Sequence, residues 1–219
     1  KAKLNYDSSV DSMKIGVSMG GRPMGVLPVE TRLEGKTSQD FLQVLPKVSV
    51  RYQCSPGTFT YVSVAKGYKT GGYNVQMFGD LVQEYARYDL MSKFMPNQAE
   101  VEEVAAYKPE HSWNYEMGIR SELIKDRLHA ELTLFYMDIQ DIQLTTFAKG
   151  GSGRMITNGG KADSYGVEVS LRSRIAEGLT ADLNYGFTRA TFRDYKTLDK
   201  NETEINYKDN FIPYTPRHT

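Results

Sequence analysis

Apolar and polar residues alternate with a period of two in four segments, residues 113–119, 128–136, 164–175 and 179–187. Successive side chains of a strand point to opposite faces, so this pattern predicts strands with one apolar and one polar face. Residues 48–52 show the same alternation. Residues 58–68 are also predicted to be a strand, but both of their faces are half apolar. The sequence leaves open which face of that strand belongs to the apolar side.

Short and long connections alternate between these segments. The short ones are residues 54–57, 123–127 and 176–178, and the long ones are residues 70–109, 142–163 and 196–212. In an up-and-down sheet this order places every short turn at one end and every long loop at the other. We therefore predict an all-β fold with antiparallel up-and-down topology. Residues 36–40 are expected to form a loop, and residues 80–95 either a short helix or a packed loop.

Residue parity predicts the register of the hairpins. Apolar positions are odd-numbered on both sides of residues 176–178, so facing residues sum to an even number and the loop has an odd length. A three-residue loop that ends in Gly178 meets this condition. It sets three facing pairs: Leu171 with Leu183, Val169 with Tyr185, and Arg172 with Asp182. Across residues 123–127 the parities differ, and an even loop is required to keep both apolar sets on one face.

Composition narrows the class of protein. The predicted strands are about ten residues long, which suits a tilted membrane-spanning strand. The chain contains 15 tyrosines and 19 glycines. The aromatic residues Trp113, Tyr136 and Tyr165 lie at the ends of apolar sets, as in an interfacial girdle. These features favour a transmembrane β-barrel, in which only one face of each strand meets lipid.

Several kinds of chemistry find no support in the sequence. The formal net charge is zero, which argues against a nucleic-acid partner. The single cysteine allows neither an internal disulfide nor a thiolate metal cage. The histidines at positions 111, 129 and 218 lack metal-ligand spacing, and no Ser–His–Asp or Cys–His constellation is recognisable. We therefore expect no metal, no cofactor and no enzymatic activity.

An ordered set of short motifs resembles the C-terminal barrel portion of TonB-dependent outer-membrane receptors. The resemblance covers residues 45–219, whereas residues 1–44 match poorly, as variable extracellular loops would. The set comprises residues 66–69 with 71–74; 107–110 with 113–116 and Gly118; Phe135, Tyr136, Asp138, Asp141 and Gln143; 158–162 with 164–169; 178–179 with 184–188, Phe192, Asp194 and Tyr195; and 213–214 with 216–218. Residues 72–74, followed by 76–78, are similar to receptors of Bacteroidetes type.

The resemblance implies a parent barrel of about 22 strands that encloses a plug. It implies a place in the outer membrane of a Gram-negative bacterium and uptake of a scarce ligand, most often an iron–siderophore complex, energised by TonB through the plug. Short turns would face the periplasm and long loops the outside. We expect residues 1–219 to be a partial barrel domain of about six full strands. Neither a plug domain nor a TonB box is recognisable within them.

Within such a barrel the two faces of each strand have different surroundings. Lumen-lining residues are predicted to be Asn114, Glu116, Arg120, Glu168, Arg172, Asp182 and Asn184. Lipid-facing residues are predicted to be Trp113, Tyr115, Met117, Leu132, Leu134, Val167, Val169, Leu183 and Tyr185. The lumen charges can be interpreted as a surface against which the plug packs and the ligand passes, or as a salt-bridge lattice that stiffens the wall. The second interpretation is favoured, since polar lumens are general in barrels.

Two other functions remain open at this point. A soluble or surface-attached β-sheet binding or adhesion module would show the same alternation, because it also buries one face. An outer-membrane barrel enzyme would need a nucleophile and a base on neighbouring strands, and we can place neither. The sequence identifies neither the ligand nor the residues that bind it.

Overall fold

The computed structural model describes residues 1–19, 22–75, 105–147, 154–198 and 203–219. The elements of this part of the chain are strands: β1 Ala2–Met19, β2 Arg22–Gln39, β3 Lys47–Ser55, β4 Thr58–Lys69, β5 Gly72–Tyr73, β6 Ala106–Tyr107, β7 Glu110–Ile124, β8 Leu128–Gln140, β9 Gln143–Phe147, β10 Arg154–Asn158, β11 Lys161–Ala176, β12 Leu179–Asp194, β13 Lys196–Leu198 and β14 Glu204–Asn206. Across these residues no helix has the length and apolar character needed to cross a membrane. The possible helix at residues 80–95 lies outside the described residues.

Six strands form one antiparallel sheet in the order β12-β11-β8-β7-β4-β3. The long strands of the sheet follow one another along the chain, and each pairs with the next. This confirms the predicted all-β, antiparallel, up-and-down fold and the six strands expected in it; β1 and β2, of 18 residues each, form a further two-stranded sheet that the sequence did not predict. Five of the six strands, β4, β7, β8, β11 and β12, run for 12 to 16 residues and exceed the predicted length of about ten.

The connections are sorted between the two ends of this sheet, as predicted. Residues 56–57, 125–127 and 177–178 form the short turns β3–β4, β7–β8 and β11–β12. Gly178 has φ +78°, a left-handed conformation that glycine adopts without steric cost. A register shift lies beside it, between Arg174 and Ala176. Strand pairing continues to Ala176 and Leu179, so the turn is one residue shorter than the predicted three-residue loop.

Hairpin register agrees with the parity argument, but the β7–β8 turn has three residues instead of the even number required, and a register shift between Glu122 and Ile124 makes up the difference. The structure pairs Leu171 with Leu183, Val169 with Tyr185, and Arg172 with Asp182. It also pairs Tyr115 with Tyr136, so the apolar sets of β7 and β8 share one face. For β4, which the sequence left ambiguous, Val62 pairs with Met117 and Val64 with Tyr115. These two valines therefore lie on the apolar side, and Tyr61 and Ser63 on the polar side.

The prediction of a loop at residues 36–40 is wrong for four of the five positions. β2 continues to Gln39, and Lys36 pairs with Asn5 while Gln39 pairs with Ala2. Strand pairing uses the backbone N–H and C=O groups, which polar residues carry as well as apolar ones. Residues 1–44, expected to resemble variable loops, therefore contain a long two-stranded hairpin.

The chain forms two compact units, and the first comprises Lys1–Leu42, Thr70–Lys108 and Leu144–Thr157. Within it, buried Leu4 and Ala105 pack with the partly buried residues Tyr6, Tyr73 and Met155. The buried Asn74 side chain donates to the Ile156 carbonyl at 2.9 Å and accepts from the Ile156 amide at 2.7 Å. This amide therefore binds the β10 backbone as a neighbouring strand would.

The second unit contains the six-stranded sheet and the C-terminal segment. That segment pairs with β12, where Gly186 and Thr219 exchange two backbone hydrogen bonds of 3.0 Å. Further along, the Thr188 amide donates to the Arg217 carbonyl and the Ile212 amide to the Ala190 carbonyl. Residues 216–218, whose sequence resembles the start of a further strand, thus lie beside β12 in antiparallel fashion.

A tyrosine–glycine contact connects β4 to β7 on the polar side. A Cβ atom at Gly118 would lie 2.6 Å from Tyr61 Cε1, so the ring lies directly over the glycine. The Tyr61 hydroxyl donates to Glu116 Oε1 at 2.8 Å and lies 3.1 Å from Thr133 Oγ1 on β8. An aromatic ring thus covers the surface that glycine leaves open, an arrangement that stabilises sheets.

We predict that Gly118→Ala destabilises the full-length protein by about 1–3 kcal/mol, because the added methyl group meets a ring held by two hydrogen bonds. Urea unfolding in detergent micelles, followed by intrinsic fluorescence, measures this loss. In a Tyr61→Ala background the same alanine should cost far less, since the clash is gone. Equal costs in the two backgrounds would disprove the contact.

Candidate functional site

One side of the six-stranded sheet, here called the polar face, gathers the residues predicted to line a lumen. Cross-strand pairing places Glu168 opposite Thr133, and Thr133 opposite Gly118. The next row toward the short turns joins Arg120, Glu131, Ser170 and Asn184. All seven predicted residues lie on this face: Asn114, Glu116, Arg120, Glu168, Arg172, Asp182 and Asn184.

Ion pairs span neighbouring strands at the short-turn end of the polar face. Arg120 Nε lies 2.7 Å from Glu131 Oε1, and Arg172 Nε lies 2.6 Å from Asp182 Oδ1. Ser170 and Asn184 form a hydrogen bond between the same strands as the second pair. Exposed ion pairs stabilise weakly, but a set of them fixes side-chain positions. Two cross-strand ion pairs are therefore present at this end of the polar face, and the wider salt-bridge lattice stays a prediction.

A depression of about 790 Å³ lies over these pairs. Its lining includes Phe59, His129 and Arg172 together with the Arg120–Glu131 pair. Arg51 stacks on the Phe59 ring, with its guanidinium carbon 3.5 Å from the ring centroid. Charges of both signs line the depression, so it suits a polar occupant of mixed charge better than a strongly acidic or basic one.

Halfway along the polar face lie two carboxylates that are not paired with cationic side chains of the described residues. Glu168 is exposed and forms no ion pair or side-chain hydrogen bond with any residue that the structure describes. Glu116, two strands away, accepts from the Tyr61 hydroxyl and has no cationic partner in the same described ranges. Two carboxylates on this stretch of wall are thus left without an opposite charge. Sequence reasoning identified both residues but missed Tyr61, because the two faces of β4 could not be told apart.

The opposite side, the apolar face, carries the residues predicted to meet lipid. Pairing aligns Met117, Leu134 and Val167 in one row, and Ile119, Leu132, Val169 and Tyr185 in the next. Large apolar side chains here are open to the surroundings: Leu183 is 62% exposed and Met117 is 52% exposed. The predicted lipid-facing set shares this face: Trp113, Tyr115, Met117, Leu132, Leu134, Val167, Val169, Leu183 and Tyr185.

Toward the long-loop end the apolar face becomes first aromatic and then charged. Tyr115, Tyr136 and Tyr165 form a row across β7, β8 and β11. Beyond it, Arg193 contacts Asp138 at 2.5 Å and Asp163 at 3.2 Å. Sequence reasoning found the tyrosines but missed the arginine, which lies outside the predicted strand at residues 179–187.

Other titratable groups are dispersed over the second unit. His111 packs on Tyr68 with ring centroids 5.3 Å apart, His129 pairs with Arg172, and the Tyr185 hydroxyl lies 2.9 Å from His218 Nδ1. The structure does not bring these histidines together. In the β13–β14 hairpin a hydrogen bond to the Glu204 carboxylate raises the pKa of Lys196.

Comparison with protein families gives a match over nearly the whole chain. The model described as "TonB dependent receptor-like, beta-barrel" matches residues 10–219. The match extends into the N-terminal hairpin, which carries none of the motifs named above. The chain also resembles the pesticin receptors of Yersinia pestis, with 31% identity over 218 residues, and of Yersinia enterocolitica, with 30% identity over 216 residues. Each alignment covers 99% of this chain and 26% of the relative.

Solved structures show the same fold. The ferric yersiniabactin uptake receptor FyuA from Yersinia pestis superposes with a TM-score of 0.55 at 27% identity, over 92% of this chain and 24% of FyuA. The ferric-catecholate import receptor Fiu from E. coli K12 gives a TM-score of 0.52 at 18% identity, over 99% of this chain and 27% of Fiu. The chain spans about a quarter of the length of the curated relatives it matches.

These relatives are receptors by name, in agreement with the prediction that the chain is not an enzyme. The relatives named here come from Yersinia and E. coli, and the similarity to the Bacteroidetes type stays a prediction. The family match, the two-faced antiparallel sheet and the sorted connections agree with one another. The chain belongs to the TonB-dependent receptor family, and its residues form part of the β-barrel domain.

Proposed function

We propose that the chain is a segment of the barrel wall of an outer-membrane receptor that imports a ferric siderophore with energy delivered by TonB. The observation that carries the proposal is the division of one continuous sheet into an exposed apolar face and a charged polar face. A water-soluble sheet would bury the apolar side. The family to which the chain belongs is one of outer-membrane proteins, and in a membrane the apolar face can stay exposed to lipid.

The ligand class follows from the relatives. FyuA, at 27% identity, is described as a receptor for ferric yersiniabactin uptake, and the pesticin receptors reach about 30% identity. Both matches cover nearly all of this chain. We infer a ferric siderophore as the cargo, in keeping with the expectation from the motifs. We infer that the long connections meet it outside the cell.

Strand geometry supports contact between the apolar face and lipid. In β8 the apolar positions run from Leu128 to Tyr136, eight residue steps. At about 3.3 Å per residue and a tilt of about 40°, they cover roughly 20 Å of height. With the reach of the terminal side chains this approaches the apolar band of about 25 Å in outer-membrane barrels. The tyrosine row then lies at the interface on the side of the long loops.

The polar face, by the same geometry, lines the lumen. We infer that the plug of the parent protein packs against it and that Glu116 and Glu168 contact basic groups of the plug. Their lack of a cationic partner in the described part of the wall supports this inference. The ion pairs near the short turns link neighbouring strands of the wall to each other.

A soluble binding or adhesion module, the alternative left open by the sequence, is less consistent with these features. It would expose Met117, Leu134 and Leu183 to water, at a cost that grows with their apolar area. The family match covers residues 10–219 and leaves little of the chain for a separate module.

The full-length receptor should transport iron. Expressed in a siderophore-receptor-deficient Gram-negative strain, it is expected to import iron-55 supplied as ferric yersiniabactin or a related ferric siderophore. Import should stop in a strain without TonB. Import that is independent of TonB, or absent for every ferric siderophore offered, would contradict the proposal.

Asp182 and Leu183, neighbours on β12, should be exposed to water and to lipid respectively. Spin labels at Leu183→Cys and Asp182→Cys, in a background without other cysteines, are compared in the full-length protein embedded in lipid. Because adjacent strand residues point to opposite faces, Leu183 should be relaxed by oxygen dissolved in lipid and Asp182 by a water-soluble nickel chelate. The reverse result, or equal accessibility to both reagents, would show that the faces are wrongly assigned.

The contact between Glu168 and the plug is tested by Glu168→Gln, which removes the charge and keeps the shape. A hydrogen bond to a charged group contributes about 1.5–3 kcal/mol, so the plug should be held less firmly. We expect greater sensitivity of the cells to a large antibiotic that the outer membrane normally excludes. The matched control is Asp182→Asn, which alters a carboxylate already paired within the wall. Equal sensitivity of wild type and Glu168→Gln would contradict the contact.

A further inference from the structure

The first compact unit is made of three segments far apart in sequence, here called the loop assembly: Lys1–Leu42, Thr70–Lys108 and Leu144–Thr157. The second and third segments lie in the connections β4–β7 and β8–β11, two of the long connections that we infer to meet the ligand. All three segments contribute to one small core. Its residues are Leu4 and Tyr6 from the first segment, Tyr73 and Ala105 from the second, and Met155 from the third.

The buried side chain of Asn74 joins the second segment to the third. Asn74 is 7% exposed, and both polar atoms of its amide group bind Ile156 on β10. Nδ2 donates to the Ile156 carbonyl at 2.9 Å, and Oδ1 accepts from the Ile156 amide at 2.7 Å. The backbone N–H of Asn74 donates to the Ala105 carbonyl at 2.8 Å. One residue is therefore fixed to its own segment by its backbone and to another segment by its side chain.

This link joins two small sheets that would be weak alone. β5 pairs with β6, and β10 pairs with β9, each as a separate two-stranded sheet. An isolated two-stranded sheet is marginally stable in water. The Asn74 amide offers the same donor and acceptor as a peptide group, so it extends backbone pairing from one small sheet to the other.

The first segment is held to the same place by a further polar contact. Thr37 Oγ1 on β2 lies 3.2 Å from the Tyr73 hydroxyl, next to Asn74 in the chain. Buried Leu4 packs against buried Ala105, to which the Asn74 backbone is bonded. The contacts of all three segments thus converge on residues 73–74.

We propose that Asn74 is a positioning residue that makes the loop assembly one cooperative unit, so that a ligand meets its two long connections already joined. The cooperative unit stands on the contacts described above, whereas its effect on the ligand rests on the proposed function. Connections that are joined before binding need not be ordered during it, and such ordering costs affinity. The apparent affinity is then set by the fraction of receptors in which the unit is assembled.

A merely local role for Asn74 would have a different signature. If the side chain only terminated β5, its loss would loosen residues 70–75 and leave the other two segments unchanged. Coupling instead predicts effects at residues 154–158, far away in the sequence. The two roles are therefore distinguished by measurements on the segments that Asn74 does not belong to.

Hydrogen exchange of the full-length wild type in detergent micelles, followed by mass spectrometry at increasing urea, tests the cooperative unit without any ligand. Peptides covering residues 36–39, 70–75 and 154–158 should lose protection over the same range of urea, because one opening exposes all three. Three separate transitions would overturn the proposal, and this result does not depend on the folding of any variant.

The Asn74→Ala variant removes the link and leaves the backbone bond to Ala105 in place. Exchange at residues 154–158 should become about ten-fold faster, since two hydrogen bonds are lost, and should no longer follow that of residues 70–75. The matched control is Asn206→Ala, which removes an amide that accepts from the Lys208 N–H at 2.9 Å within a single long connection. It should leave the common transition unchanged. A common transition that also survives in Asn74→Ala would contradict the coupling.

Uptake of iron-55 as ferric yersiniabactin tests the consequence for the ligand. If the assembled fraction falls to about a tenth in Asn74→Ala, KM should rise about ten-fold, while the maximal rate stays that of the wild type, because saturating ligand restores the assembled form. An unchanged KM, or a lower maximal rate at unchanged KM, would reject the positioning role. Absence of import by the wild type for every ferric siderophore would count against the proposed function, and the urea transitions would still decide on the cooperative unit.

Discussion

Antiparallel backbone pairing with a fixed register is the constraint on which the other features of the sheet depend. Because side chains alternate along a strand, a shift of one residue between β11 and β12 would exchange Leu183 with Asp182 across the sheet. The observed register keeps apolar residues on one side of all six strands. The same register creates the Arg172–Asp182 pair and places Tyr61 over Gly118. Turn length, ion pairing and the exposed apolar surface are thus consequences of a single alignment.

The polar face combines two arrangements of charge that have different physical effects. Paired charges near the short turns neutralise each other and restrict the strands on which they lie. Unpaired carboxylates midway along the wall keep their full interaction energy for a group that the described residues do not supply. In such a wall the strands are linked by ion pairs at one end, and unpaired carboxylates further along can bind another group. This division is consistent with the contact between wall and plug that we propose.

Much of the sheet could be predicted from alternation and parity, because both follow directly from the geometry of a strand. The pairs Val169–Tyr185 and Leu171–Leu183 needed no other information. The faces of β4 could not be assigned, since its own sequence has no apolar bias and only pairing with β7 resolves it. Polar residues 36–39 were misjudged as loop because their pairing is a property of the backbone. Tyr61 was missed because the two faces of β4 could not be told apart, and Arg193 because it lies beyond the predicted strand at residues 179–187.

The ring of Tyr61, which lies over Gly118, bears on how the parent protein could work. A tyrosine that stood upright on the wall would project several ångströms into the space that the barrel encloses. The Tyr61 ring instead lies flat across Gly118, and Glu116 and Thr133 hold its hydroxyl close to the sheet. In the proposed receptor such a surface would leave more free space beside the plug, and the size of residue 118 would affect the cross-section of the lumen at that height.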